Sequence, residues 1–234
     1  MISIDTLLRS YEVPRPARDE RPWVLLNLVV SADGHASIDG RVAQLTSPTD
    51  QTLFHHLRGL SDVILVGAAT VRAEKYGPVR VSDSAAVRRE TEGQRERPTL
   101  AIVSRSLDLD IDAIAVPGQP VVVLTCAVSN ETRRAHVKQF ADVIVVGDDR
   151  VDLQQALALL HQRGARVVLC EGGAVLNSEL AQAGLVDEVC VTVAPVLGGD
   201  PSTLSGAALP RAVRMQLQHA HEVDGNVFLR WLVA

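Results

Sequence analysis

The residues best placed to do chemistry sit where apolar runs stop. Glu171-Gly172-Gly173 follows the run Arg166 to Cys170 and opens a helical pattern. Two glycines let a ligand approach the backbone, and a helix start offers unpaired N–H groups to an anion. A pyrophosphate fits such a turn, and so does a bare strand-to-helix connection. The acid favours a ligand, because a carboxylate ending a buried strand lies at the carboxyl edge of the sheet, where open α/β sheets bind small molecules. Val66-Gly67-Ala68-Ala69-Thr70-Val71 has the same character, with Thr70 able to cap a helix or donate to a ligand oxygen. Ser104-Arg105-Ser106 ends another run. A guanidinium flanked by hydroxyls suits a phosphate monoester, though a polar turn has the same composition. If a dinucleotide lies on the Gly-Gly turn, this cluster selects a 2′-phosphate, hence NADPH over NADH. Ser31-Ala32-Asp33-Gly34 ends the first run and also reads as an ordinary Asp-Gly turn. Arg58 lies on a helical stretch, where a solvated charge is the plain reading.

Those positions need a scaffold of a particular kind. The runs 23–30, 63–67, 99–104, 120–125, 142–147, 166–170 and 188–195 are short and rich in Val and Ile. Such runs suit strands buried on both faces of a parallel sheet. Helical patterns alternate with them. Ser47-Pro48-Thr49-Asp50 opens one with a Ser cap, a Pro at the first helical position and an acid in the first turn. Others begin at Ser129 and Asp152, and the helices over 152–163 and 174–183 stop at Gly164 and Gly184. Strand–helix alternation predicts an α/β fold with helices on both faces. Residues 214–223 and 226–232 flank Asp224-Gly225, which predicts an antiparallel hairpin closing the sheet. Residues 1–20 read as an extended arm, 21–234 as one domain, and 80–98 as a polar surface loop.

Composition removes several classes of function. The chain has 234 residues, 47% of them hydrophobic, and a net charge of −5. An acidic chain without a basic patch argues against nucleic acid and anionic membranes as partners. No apolar run reaches the ~20 residues of a membrane span, and the N-terminus lacks a signal pattern. Cys126, Cys170 and Cys190 each lie in or near apolar runs, so they read as reduced thiols of a cytoplasmic protein. Neither G-x-G-x-x-G nor a P-loop is present, and no Cys or His spacing suits a metal. His55 and His56 point about 100° apart on a helix and cannot share an ion. Aromatic residues make up only 3%, so few rings are available to stack on a flat ligand.

In order along the chain, Ser31 to Gly34, Thr46-Ser47-Pro48, Leu57-Arg58, Val66 to Val71, Ile102 to Ser106, Glu171 to Gly173, Leu185 to Glu188 and Ala194 to Gly199 resemble the reductases of riboflavin biosynthesis. That resemblance spans about 22–232. It implies a dihydrofolate-reductase-like three-layer α/β/α fold with a mainly parallel mixed sheet. It implies reduction of 5-amino-6-(5-phosphoribosylamino)uracil to the ribitylamino product, with NADPH delivering hydride to ribose C1′. Gly67, Thr70, Glu74, Ser104, Arg105, Gly172, Gly173, Ala174, Val175 and Leu176 would hold the cofactor. Asn27, Thr46, Ser47, Arg58 and Glu171 would face the substrate, with Arg58 on its phosphate. Asp33 and Glu171 would be the candidates for proton transfer.

The chain departs from the family pattern at Ala69, where a glycine is usual, and over Glu74 to Arg80, where Arg80 would replace a missing arginine. This resembles stand-alone actinobacterial relatives without a deaminase domain, some of which look able to reduce dihydrofolate. Hence a pterin or another small imine or carbonyl is the alternative substrate, and a silent NADPH-binding protein a further one. The family resemblance also implies a homodimer.

Overall fold

The computed structural model describes residues 2–16, 18–200 and 209–234. In chain order its elements are α1 (Ile4–Ser10), β1 (Trp23–Ser31), α2 (Pro48–Gly59), β2 (Val63–Gly67), α3 (Ala68–Ala73), α4 (Asp83–Thr91), β3 (Thr99–Val103), α5 (Ile111–Ile114), β4 (Val121–Thr125), α6 (Glu131–Val137), β5 (Asp142–Val145), α7 (Leu153–Gln162), β6 (Val167–Cys170), α8 (Ala174–Gln182), β7 (Glu188–Ala194), β8 (Met215–Val223) and β9 (Asn226–Val233). The described strands form one sheet in the order β5-β4-β3-β2-β6-β1-β7-β9-β8. Strands β5 through β7 run parallel, while β9 is antiparallel to both β7 and β8. This is the mainly parallel mixed sheet with an antiparallel end that the sequence predicts.

The continuous apolar runs are explained by two cores, one on each face. Leu25, Ile64, Leu100, Val123 and Leu169 pack with Leu7, Leu53 and Leu57. Val24, Leu65, Ala101, Val122 and Val168 pack with Leu157, Leu160 and Leu180 from α7 and α8. Each fully buried leucine contributes about 1.5–3 kcal/mol relative to its exposed state. Ser47 caps α2 through a bond from the Asp50 N–H, and Asp152 caps α7 in the same way. Gly164 and Gly184 follow their helices at φ +95° and +65°, the left-handed stops expected of them. The Asp224-Gly225 turn joins β8 to β9 with φ positive at both residues.

Three expectations change. The extended arm begins with α1, whose Leu7, together with Tyr11 just beyond it, is buried in the first core. Its polar composition hides a single apolar contact face. The stretch 80–98 holds α4, which buries Ala85 against α2 at Gly59 and directs Arg89 to the Gly59 and Ser61 carbonyls. The helix expected from Ser129 starts one residue later, because the Asn130 side chain accepts the Arg133 N–H.

The segment after α1 is tied to the start of β7 by buried charge. Glu188 is fully buried and accepts from Arg15, Arg230 and the Trp23 indole N–H. Its neighbour Asp187 accepts from Arg18, Arg21 and the Val24 N–H.

Candidate functional site

The strand order dictates where a ligand can sit. The chain passes from β1 to β2 and on to β5 at one edge, then returns to place β6 between β2 and β1. Connections therefore diverge beside β6, and a crevice opens at the carboxyl ends of the strands there. A cavity of about 1500 Å³ occupies this edge. Gly67 ends β2, Glu171 follows β6, and Asn27 projects from β1, so three neighbouring strands each supply wall.

Every cofactor residue expected from the sequence lines this one cavity: Gly67, Thr70, Glu74, Ser104, Arg105, Gly172, Gly173, Ala174, Val175 and Leu176. The N-cap of α8 is Gly173 and that of α3 is Gly67, and neither has a side-chain hydrogen bond to its helix. Helix N–H groups are thus left for an anion. Gly173 must lack a side chain, since a Cβ there would lie 2.6 Å from the Thr70 hydroxyl oxygen. The two turns touch, with the Gly67 N–H donating to the Gly172 carbonyl at 2.8 Å. Val175 and Val128 expose apolar side chains on the same wall. Ser104 is buried, and its hydroxyl already accepts the Leu107 N–H at 3.0 Å, while Arg105 is exposed at the rim.

Of the expected substrate residues, Asn27, Thr46, Arg58, Glu171 and Arg80 line the cavity. Ser47 does not, because its side chain is the helix cap. Arg58 is held within the protein by a carboxylate. Its Nε and Nη2 donate to the two Glu171 carboxylate oxygens at 2.7 and 2.8 Å. The Tyr76 hydroxyl donates to the same carboxylate at 2.6 Å. Phe54 stacks against the guanidinium, 4.1 Å from the ring centre. Burial works against the Arg58 cation, but attraction and hydrogen bonding from Glu171 outweigh it and raise its pKa. Burial, reinforced by the Glu171 charge, holds the Tyr76 phenol protonated. Arg80 is exposed at the mouth, where its charge and that of Arg58 add to burial in lowering the His55 pKa.

Asp33 is not among the residues lining the cavity. Its carboxylate accepts from the Ser31 hydroxyl at 2.7 Å and the Gly198 N–H at 2.9 Å, and those bonds depress its pKa. It pins two loops together and is ionised at neutral pH, so the expected proton-transfer role is not supported by its position. Glu171 does line the cavity, but both its oxygens are engaged by Arg58 and Tyr76. Those bonds hold its carboxylate in one orientation at the cavity wall.

Among the cavity residues missed in the sequence, Tyr76 and Asp50 bear most on the site. Tyr76 gave no signal, being the lone aromatic in a segment read as an altered motif. Asp50 reads locally as a helix-start acid, yet it is only 5% exposed and faces the cavity.

An open, mainly parallel α/β sheet with a large cavity at its switch point defines an α/β protein built to hold a small molecule there. The chain belongs to the RibD C-terminal domain family, which matches residues 22–229. It is 29% identical over 201 residues to the 2,5-diamino-6-ribosylamino-4(3H)-pyrimidinone 5′-phosphate reductase of Archaeoglobus fulgidus, covering 84% of this chain and 92% of that protein. Its structure matches that of a pyrimidine reductase-like protein from Corynebacterium diphtheriae with a TM-score of 0.85 and 25% identity, over 100% of this chain and 99% of that one. The dihydrofolate reductase of Enterococcus faecalis shares the fold, with a TM-score of 0.51 at 14% identity over 90% of this chain and 96% of that one. Within the described residues, no helix is long and apolar enough to cross a membrane.

Proposed function

We propose that the chain is an NADPH-dependent oxidoreductase that reduces a ribosylaminopyrimidine 5′-phosphate in riboflavin biosynthesis. The observation that carries this reading is the convergence of ten cofactor residues and five substrate residues from separate segments on one cavity. The chemistry of the donors fits the cofactor. The α8 start and the Gly172-Gly173 turn suit a pyrophosphate, Thr70 adds a hydroxyl, and Arg105 supplies a cation for a 2′-phosphate. Bound NADPH supplies a hydride, here to C1′ of the opened ribosylamino group. Arg58 and Tyr76 clamp Glu171 so that its carboxylate holds one orientation beside the Gly-Gly turn. With Arg58 Nε and Nη2 engaged by Glu171, Arg80 and Lys75 are the exposed cations placed to meet a substrate phosphate. The protein's contribution is placement of donor and acceptor, an effect that depends on rigid walls.

The engagement of Arg58 also favours a second reading, in which a pterin such as dihydrofolate is reduced. NADPH oxidation measured side by side with the two substrates separates them. The ribosylaminopyrimidine phosphate is expected to be turned over at least ~10-fold more efficiently; a preference of that size for dihydrofolate reverses the assignment.

The protein is also proposed to work as a cytoplasmic homodimer. The three free, buried cysteines suit a reducing compartment. Met215 and Leu217 are exposed on β8, which ends the sheet. Sedimentation at micromolar concentration is expected to give twice the chain mass, and a monomer would refute the pairing.

A further inference from the structure

We infer that Asp50 reads the 2-amino edge of the substrate's pyrimidine ring and so selects a 2-aminopyrimidin-4(3H)-one over the corresponding 2,4-dione. This rests on the proposed reductase function and specifies the substrate class of the same site.

The geometry comes from α2 and the sheet beneath it. Asp50, Phe54 and Arg58 recur every four residues, so they share one face of α2, and all three line the cavity. On the sheet, Asn27 pairs with Cys190 and Val29 with Thr192 across β1 and β7. These four side chains therefore point to one face, and the Thr192 hydroxyl bonds to the Asp50 carboxylate. Asp50 thus sits over the floor formed by β1 and β7. It is nearly buried, and among the described residues it has no ion-pair partner. A second acceptor waits in the same cavity. The Asn27 Oδ1 is buried and accepts no hydrogen bond from the described residues.

A buried carboxylate that faces a cavity with no ion-pair partner of its own lacks N–H donors. A 2-aminopyrimidin-4(3H)-one carries two of them side by side, N3–H and the 2-amino group, spaced for the two oxygens of a carboxylate. A 2,4-dione keeps N3–H but presents a carbonyl oxygen in place of the amine, which a carboxylate repels. A structural acid at a helix start would need no such partner and would not discriminate.

Protonation offers an independent check. Burial pushes the Asp50 carboxyl up to about 6, against the hydrogen bond from Thr192. Of the titratable groups on the elements packed there, Tyr11 just beyond α1 feels the Asp50 charge, Asp224 of the β8–β9 turn accepts from the adjacent Thr49, Cys190 shares the Thr192 face of β7, and His55 and Arg58 lie further along α2. Tyr11 and Cys190 have raised pKa values, first from burial, and stay protonated. Above about pH 6 Asp50 is an acceptor; below it the carboxyl can donate to a 2-oxo group.

The test uses the full-length protein. First, kcat/KM is measured with saturating NADPH for 2,5-diamino-6-ribosylamino-4(3H)-pyrimidinone 5′-phosphate and its 2-oxo counterpart. Second, calorimetry compares 2-amino-6-methylpyrimidin-4(3H)-one with 6-methyluracil as ring probes. At pH 8 the wild type is expected to favour the 2-amino member of each pair by ~10-fold or more, and the preference should shrink at pH 5. Asp50→Asn should bring it within about threefold, chiefly through KM, with NADPH affinity kept. Equal binding of the two probes by the wild type, or an unchanged preference in a folded Asp50→Asn, overturns the inference. If neither nucleotide is reduced but the probes still separate in this pH-dependent way, the reductase reading fails and the role of Asp50 stands.

Discussion

Replacing Glu171 by Ala is expected to cost about 3–5 kcal/mol of stability, because it strands a buried guanidinium. The Arg58 side chain is 10% exposed and that of Glu171 2% exposed, so solvent cannot take over the lost pairing. The Tyr76 hydroxyl loses its acceptor in the same step. For a domain of this length the midpoint of thermal unfolding should fall by roughly 6–20 °C. Arg58→Met should be similarly damaging, since it leaves the carboxylate buried instead. The double variant should lose clearly less than the sum of the two, the sign of a shared interaction. Differential scanning calorimetry of the three proteins checks this. A shift under 2 °C for Glu171→Ala would show that the pair does not hold the cavity wall. Because Glu171 also lines the cavity, its loss should reduce turnover in whatever protein remains folded.

The second large effect is expected at Glu188, with the opposite functional signature. Glu188→Gln keeps the shape but removes the charge shared by Arg15 and Arg230, leaving two buried cations with no counter-ion. A loss of about 3–5 kcal/mol is again expected. This site is not part of the cavity, so NADPH affinity of the folded variant should match the wild type. Burial alone would raise the Glu188 pKa, but Arg230 and Arg15 outweigh it and the net shift is downward from 4.5. A depressed carboxylate contributes stability that is fully present above its unfolded pKa. That contribution is lost as pH falls through the lower, folded value. Below about pH 4.5 the wild type should therefore lose its advantage over Glu188→Gln. Denaturant midpoints for both proteins between pH 3 and 8 provide the measurement. A gap that stays constant down to pH 3 would exclude the charge as its origin.

The strands were legible because parallel strands buried on both faces write themselves as unbroken Val and Ile runs. The Gly172-Gly173 turn was legible because glycine there answers a steric demand from Thr70. Helices α1 and α4 were not, since α1 is only seven residues long ahead of a proline- and charge-rich stretch, and α4 buries only Ala85 and Arg89 among many charges. Arg58 is the instructive case. An arginine on a helix says nothing about a glutamate 113 residues away, and only the return of β6 beside β2 brings them together. Ser47 and Asp33 show the reverse case. Their local hydrogen bonds are the ordinary uses of Ser and Asp at helix and strand ends, and those uses won. Asp50 looked ordinary for the same reason, until the register of β1 with β7 showed what it faces.

The position of β6 also bears on how the molecule comes into being. Strands β1 and β2 are made early, yet they do not pair with each other and must wait for residues 167–170 to fill the gap between them. Pairings of such wide sequence separation close slowly. A chain emerging from the ribosome therefore carries two unfinished apolar edges from the end of β2 until β6 is made. The strand that finally joins them is followed at once by Glu171 and the glycine turn. Joining of β1 to β2 and assembly of the cavity wall at the glycine turn are therefore one event, and β7, β8 and β9 extend the sheet after it.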